Sequence, residues 1–315
     1  MTPFERLLND LLSKKTMPPQ ADLYHLSNLE NTEVLDVQRT WVELPTDLRY
    51  QLAVRLVEMA EADFELDFGE VFRICLEDED ASVRAVAIEG LWEDEDVLLV
   101  PRLVQLLQQD DSAIVRAAAA ESLGRYILLG ELNKMRSDHH LVAYDAVLAA
   151  HQDRDEDPTV QRRALESLAY VENETVIRLI QAAYNAADEK MRVSAVFAMG
   201  RSADSRWASL VQQELFSGNP ELRFEAARAC GELQLRESVP ELAGLVEDVD
   251  AEVQEAALWA LGQIGGDQAR QILQRYIHHD NEAIQAAAEA ALNELEFMYG
   301  DLDDFFIRLA ESADD

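Results

Sequence analysis

Pro220-Glu221-Leu222-Arg223-Phe224-Glu225-Ala226-Ala227-Arg228-Ala229-Cys230-Gly231 is followed, 31 residues on, by Ala251-Glu252-Val253-Gln254-Glu255-Ala256-Ala257-Leu258-Trp259-Ala260-Leu261-Gly262. Each stretch has an apolar anchor, then Arg or Gln, Ala four places after the anchor, an apolar residue eight places after it and a closing Gly. The same pattern recurs at Val83-Arg84 with Ala87 and Leu91, at Val115-Arg116 with Ala119, Leu123 and Gly124, and at Val160-Gln161 with Ala164 and Leu168. It recurs again at Met191-Arg192 with Ala195, Met199 and Gly200, and at Ile284-Gln285 with Ala288 and Leu292. Anchors 160, 191, 222, 253 and 284 are spaced by 31, whereas 83 to 115 is 32 and 115 to 160 is 45. A weaker eighth copy starts at Leu48-Arg49, with Leu52 and Leu56.

Anchor positions 0, +4, +7 and +8 fall on one side of a 3.6-residue helix, which makes a stripe that has to be buried. A second apolar helical stretch precedes this helix in each copy, for example at 97–107, 176–184 and 269–277. A hairpin of about 31 residues cannot cover its own apolar face, so successive hairpins must stack. The predicted fold is all-α, a right-handed α-solenoid of seven to eight hairpins. Pro158 and Pro220 stand where a first helical turn has no amide to lose. Asp or Asn at 80, 157, 188, 219, 250 and 281 suits N-capping, and Gly124, Gly200, Gly231 and Gly262 are expected as left-handed caps.

Three regions follow: residues 1–47 as a helical N-terminal cap, with helices at 23–29 and 34–42; 48–297 as the repeat array; and 298–315 as an acidic, aromatic tail carrying Phe305 and Phe306. The tail is expected to dock back as a cap, stay loose or act as a binding peptide. The long 115-to-160 interval holds 14 extra residues near 126–140, read as a lengthened first helix, a loop or a partner-binding protrusion.

Asp and Glu total 62 against 27 Lys and Arg, a net charge of −35 that repels nucleic acid and anionic lipid and favours a protein partner with a basic surface. Cys75 and Cys230 each fall within an apolar helical pattern and are expected as small buried residues. Neither a secretory leader nor a membrane-length apolar run is visible, so no membrane insertion and a cytoplasmic location are expected.

The repeat, with motifs such as Ala260-Leu261-Gly262-Gln263-Ile264-Gly265, resembles the HEAT family over residues 71–297, especially the short bacterial HEAT-like repeats of phycobilin lyases. Phe64-Glu65-Leu66-Asp67-Phe68, the run from Ala87 through Gly90-Leu91-Trp92-Glu93-Asp94 to Asp96, and Phe197-Ala198-Met199-Gly200-Arg201-Ser202 are similar to a family of bacterial HEAT-repeat proteins. The resemblance implies scaffolding and partner binding, a role that many repeat folds serve.

HEAT-like enzymes suggest specific chemistries to look for. The hydroxylases use His-Glu dipeptides, yet none of His25, His139, His140, His151, His278 and His279 precedes Glu. The His139-His140 and His278-His279 pairs read as solvated residues near helix ends, because neighbours on a helix point about 100° apart. Acid runs at 77–80 and 93–96 lack the Gly of a calcium loop and read as solvated turns. A base-excision role needs a basic concave face, which the charge opposes. Bilin-lyase-like cofactor handling is the enzyme alternative, and a structural subunit without a ligand is another. Neither a catalytic residue nor a metal or cofactor is expected.

If 0, +4, +7 and +8 are buried, +2 and +6 point to the inner face of the stack. At +6 the first three copies have Glu89, Glu121 and Glu166, and the next three have Phe197, Arg228 and Trp259. Phe224 stands at +2. Aromatic residues and Arg are the typical energetic anchors of interfaces, so Phe197, Phe224, Arg228 and Trp259, with Arg201 and Arg162, are the candidate partner-binding residues. Arg84, Arg116, Arg192 and Arg223, at +1, are expected to pair with acids of adjacent turns as an inter-repeat ladder.

Overall fold

The computed structural model describes residues 1–135 and 138–299, and among these the regular structure is helical, with no strand. The chain forms two compact units, residues 1–168 and residues 169 onward. The first holds α1 (Pro3–Lys14), α2 (Gln20–Leu23), α3 (Asn31–Trp41), α4 (Thr46–Ala62), α5 (Gly69–Cys75), α6 (Ala81–Gly90), α7 (Leu99–Gln109), α8 (Ala113–Glu131), α9 (His139–Gln152) and α10 (Pro158–Leu168). The second holds α11 (Glu174–Tyr184), α12 (Glu189–Arg201), α13 (Ala208–Glu214), α14 (Pro220–Glu232), α15 (Val239–Leu245), α16 (Ala251–Ile264), α17 (Gly266–Tyr276) and α18 (Glu282–Tyr299).

Every anchor lies on an even-numbered helix, and these helices stack on one another: α4, α6, α8 and α10 in the first unit, α12, α14, α16 and α18 in the second. Val83, Val115, Val160, Leu222 and Val253, with the Ala four places on, are fully buried. Met191 and Leu292 are only half-buried. The caps follow the sequence rule. Asp80 and Asp250 each accept two backbone N–H groups, and Asp188 and Asn219 accept one. Asp157 and Asn281 accept from Thr159 and Ala283. Each such bond satisfies an amide that the helix leaves open, worth about 1 kcal/mol.

The four glycines expected as left-handed caps lie inside helices, and positive φ among glycines is confined to Gly265 and Gly266. Their role is close approach. A Cβ on Gly124 would sit 2.7 Å from the Ser167 hydroxyl, on Gly231 2.7 Å from the Trp259 ring, and on Gly262 2.7 Å from the Ala291 carbonyl oxygen. The turn residue is instead twelve places after the anchor, at Ala203 (φ 51°), Gln234 (φ 51°) and Gly265 (φ 65°). Left-handed backbone costs a residue with a Cβ about 1–2 kcal/mol, somewhat more than the entropy a Gly adds to the unfolded chain. Ala203→Gly is therefore expected to raise the thermal midpoint slightly, checked by calorimetry; a lower midpoint would contradict the assignment.

The insertion is shared between two helices: the first helix α9 is lengthened as expected, with 14 residues against 11 in α7 and α11, and the anchor helix α8 is lengthened as well, with 19 residues against 13 in α12 and α14. Apolar residues carry α8 onward: Tyr126 and Ile127 are buried, and the Tyr126 hydroxyl donates to the Asp94 carbonyl at 2.7 Å. Residues 136–137 of this region, and the tail from 300 with Phe305 and Phe306, lie outside the described residues. At the N-terminus, helices cover much of 23–29 and 34–42, and α1 is additional. Its signal was present in the sequence: Thr2 and Glu5 form a capping box, and Leu7, Leu8 and Leu11 make a buried stripe.

Candidate partner-binding face

Arg at +1 makes a repeated two-ended contact. Arg84 donates Nε and Nη2 to the Asp110 carboxylate, both at 2.8 Å, and Nη1 to the Asp78 carbonyl at 2.7 Å. Arg223 does the same with Asp248, at 2.8 Å twice, and with the Ser217 carbonyl at 2.9 Å. Arg116 reaches Glu156 at 2.7 Å and the Asp110 carbonyl at 2.8 Å, and Arg192 reaches Glu214 at 3.1 Å. The carbonyls under Arg84, Arg116 and Arg223 lie five residues before their own anchors, and Asp110 and Asp248 lie five before the next. Each guanidinium thus ties two hairpins together through its planar fork. Gln254, replacing Arg at +1, keeps only the carbonyl contact, at 2.6 Å to Asp248.

The hydrogen bond from Arg223 holds the Asp248 carboxyl below its ordinary range. Its folded-state pKa is depressed, so the contribution is present above the unfolded value near 4 and is lost as pH falls through the folded value. Arg223→Met should remove that part of the acid limb in urea midpoints measured from pH 6 to 2. An unchanged acid limb would refute the coupling.

The acid run at 77–80 is not uniformly solvated. Asp78 is buried because Arg49 pairs with it at 2.8 Å and the Trp41 indole N–H donates to it at 2.7 Å. The run at 93–96 likewise includes Asp94, which pairs with Arg73. Glu166, expected to face solvent, is largely covered and pairs with Arg163 at 2.8 Å. Glu214, for which the sequence carried no signal, is buried and accepts the Tyr184 hydroxyl at 2.6 Å; burial, helped by this carboxylate, pushes the Tyr184 pKa up to about 12.

Along α12, α14 and α16 the candidate side chains form one half-buried cluster. The Arg201 guanidinium carbon lies 5.3 Å from the Phe197 ring centre, and that of Arg228 lies 4.6 Å from Trp259 and 6.0 Å from Phe224. Stacking of this kind keeps a guanidinium flat against an apolar surface while its edge remains able to donate. Glu232, one turn beyond Arg228, pairs with Arg201 at 3.3 Å; burial pushes its carboxyl up, opposed by both Arg residues. Sequence spacing carried a signal for Glu232, since +6 and +10 share a helix face. Arg162 lies on α10 of the first unit and is half-buried.

Cys75 and Cys230 are buried free thiols, and burial pushes the Cys230 pKa up to about 12. Among the described residues no group of three or more His, Cys, Asp or Glu is placed to hold a metal ion, and no helix is long and apolar enough to cross a membrane.

The family described as HEAT repeats matches residues 70–137 and 208–293, leaving unmatched the stretch that holds α9 to α12. No curated protein matches the sequence. A chain of the CpcE–CpcF complex of phycocyanin lyase from Nostoc sp. PCC7120 is 18% identical, with 85% of this chain and 96% of that chain covered at a TM-score of 0.54. Human deoxyhypusine hydroxylase is 19% identical over 84% of this chain and 96% of that chain, with a TM-score of 0.38. The 31-residue arithmetic, the stacked even-numbered helices, the family match and the likeness to the lyase chain agree: the chain has an all-α, α-solenoid fold that contains HEAT repeats at residues 70–137 and 208–293.

Proposed function

We propose that this protein is a non-catalytic scaffold or adaptor of the cytoplasm that binds a protein partner, rather than nucleic acid or a membrane, on the face formed by α12, α14 and α16. The observation that supports this most is the row of guanidinium–aromatic stacks, Arg201 on Phe197 and Arg228 on Phe224 and Trp259, on neighbouring helices. Those residue types dominate the energetics of interfaces when a partner excludes water from them. The net charge of −35 favours a partner whose wider surface is basic. Likeness to a lyase chain at 18% identity supports a shared fold and adds no reaction.

Phe197→Ala combined with Trp259→Ala should abolish partner recovery when the protein is purified from its native host, with an unchanged helical circular dichroism signal. Trp259 also fills the space beside Gly231, so Arg228→Glu serves as a second variant, changing the charge of that face without emptying that space. Equal partner yield from wild type and both variants would overturn the reading.

A further inference from the structure

Two of the stretches that stood out in the sequence, 64–68 and 87–96, are separated along the chain yet line one groove in the first unit. The groove, about 450 Å³, runs between the end of α4, the turn after it, α5 and the end of α6. Phe68, Phe72 and Leu91 form a buried apolar floor. Gly90 lets the Phe72 ring lie directly against α6, because a Cβ there would come within 2.4 Å of that ring. Phe64, 89% exposed, and Trp92, 54% exposed, stand beside this floor with most or half of their surface in water.

A soluble chain seldom leaves two large aromatic side chains exposed over one concavity unless something covers them. The charge of the lining indicates what that is. Asp67, Glu70, Glu93 and Asp94 line the groove, and the one basic lining residue, Arg73, is already engaged by Asp94 and Asp96. An anionic rim around an apolar floor repels nucleic acid and anionic lipid. It also repels the chain's own tail, with Asp301, Asp303 and Asp304, and a second copy carrying a net charge of −35.

We propose that this groove is a second docking site, taking a basic peptide segment of a partner protein whose bulky apolar side chain inserts between Phe64 and Trp92 while flanking Lys or Arg residues meet the acidic rim. The site is independent of the face on α12, α14 and α16.

The test uses the full chain and a fluorescein-labelled peptide that alternates lysine with leucine and phenylalanine, read by anisotropy at about 0.15 M salt, where distant charges are screened. Phe64→Ser with Trp92→Ser should weaken binding at least about tenfold, the loss typical of removing a central aromatic anchor. Both positions are exposed, so the fold is retained. An all-lysine peptide should bind wild type no better than the alternating peptide binds the double variant. The Phe197→Ala, Trp259→Ala variant should keep full affinity for the alternating peptide, which separates failure of this site from failure of the other face. Equal affinity of wild type and the Phe64, Trp92 variant would overturn the proposal, as would equal binding of the all-lysine peptide. A gain in affinity on deleting 300–315 would assign the groove to the chain's own tail instead and also overturn it.

Discussion

Replacement of Asp78 by Ala is expected to lower the stability of the first unit by about 3–5 kcal/mol. The side chain is 2% exposed, and the Arg49 guanidinium against it is 6% exposed. Asp78 also accepts the Trp41 indole N–H at 2.7 Å and the Asp80 backbone N–H at 2.9 Å, and its own carbonyl takes Arg84 at 2.7 Å. Truncation takes away the buried partner of Arg49, leaving the guanidinium only the exposed Glu79 carboxylate at 3.0 Å and the Leu44 carbonyl at 2.8 Å, and orphans the Trp41 indole donor at the same time. Against a total of about 5–15 kcal/mol for a folded domain, that loss moves the urea midpoint strongly. Glu77→Ala is the matched control: its carboxylate is 66% exposed and its ion pair with Arg102, at 2.8 Å, is worth at most about 1 kcal/mol. Arg49→Met with Asp78→Leu should recover part of the loss, since no buried ion is then left alone, while the Trp41 indole N–H still lacks its acceptor. Equal midpoints for Asp78→Ala and Glu77→Ala, followed by Trp fluorescence, would show that Asp78 is not a buried partner.

The contrast between those two neighbours marks where sequence reading ended. Periodicity located the anchors because burial of Val83, Val115, Val160, Leu222 and Val253 is dictated by the stripe itself. Capping was legible for the same reason, as Asp80 acts on amides two and three residues away and Asn219 on the amide two residues away. A run of acids, by contrast, looks the same whether each member faces water or a guanidinium 29 residues earlier, as Asp78 faces Arg49. Only the stacking of α4 on α6 brings that cation within reach.

The candidate face was legible in part. Spacing at +2 and +6 placed Phe197, Phe224, Arg228 and Trp259 on one helix side, because that is a property of the helix, whereas Arg201 was named without such a spacing. Spacing could not reveal that Arg228 lies against two rings, one of them on the next helix, or that Glu232 closes on Arg201. The groove beneath Phe64 and Trp92 was less accessible still. Its halves come from a turn after α4 and a turn after α6, and no helical period links them.

The glycines carry the second large effect, and they reverse an ordinary rule. Inside an exposed helix, Gly to Ala gains about 1 kcal/mol of helix propensity. Gly244, within α15, has open space where a Cβ would go, so Gly244→Ala should stabilise by about that amount. Gly262, within α16, is the opposite case. Its Cβ would lie 2.7 Å from the Ala291 carbonyl oxygen and 3.1 Å from the Ala291 Cα, both backbone atoms of α18 that cannot swing aside as a side chain does. The two helices would have to part, and overpacking of this kind costs about 1–3 kcal/mol, enough to consume the propensity gain. Gly262→Ala is expected to destabilise, and Gly262→Leu, which adds three more carbons at the same contact, to lose several-fold more protection in α18 by amide hydrogen exchange than in α12. The contact that the new side chain breaks is made by α18, so the effect should concentrate there. Should Gly262→Ala and Gly244→Ala shift the midpoint in the same direction by similar amounts, close approach of α16 and α18 would not be what fixes glycine at 262.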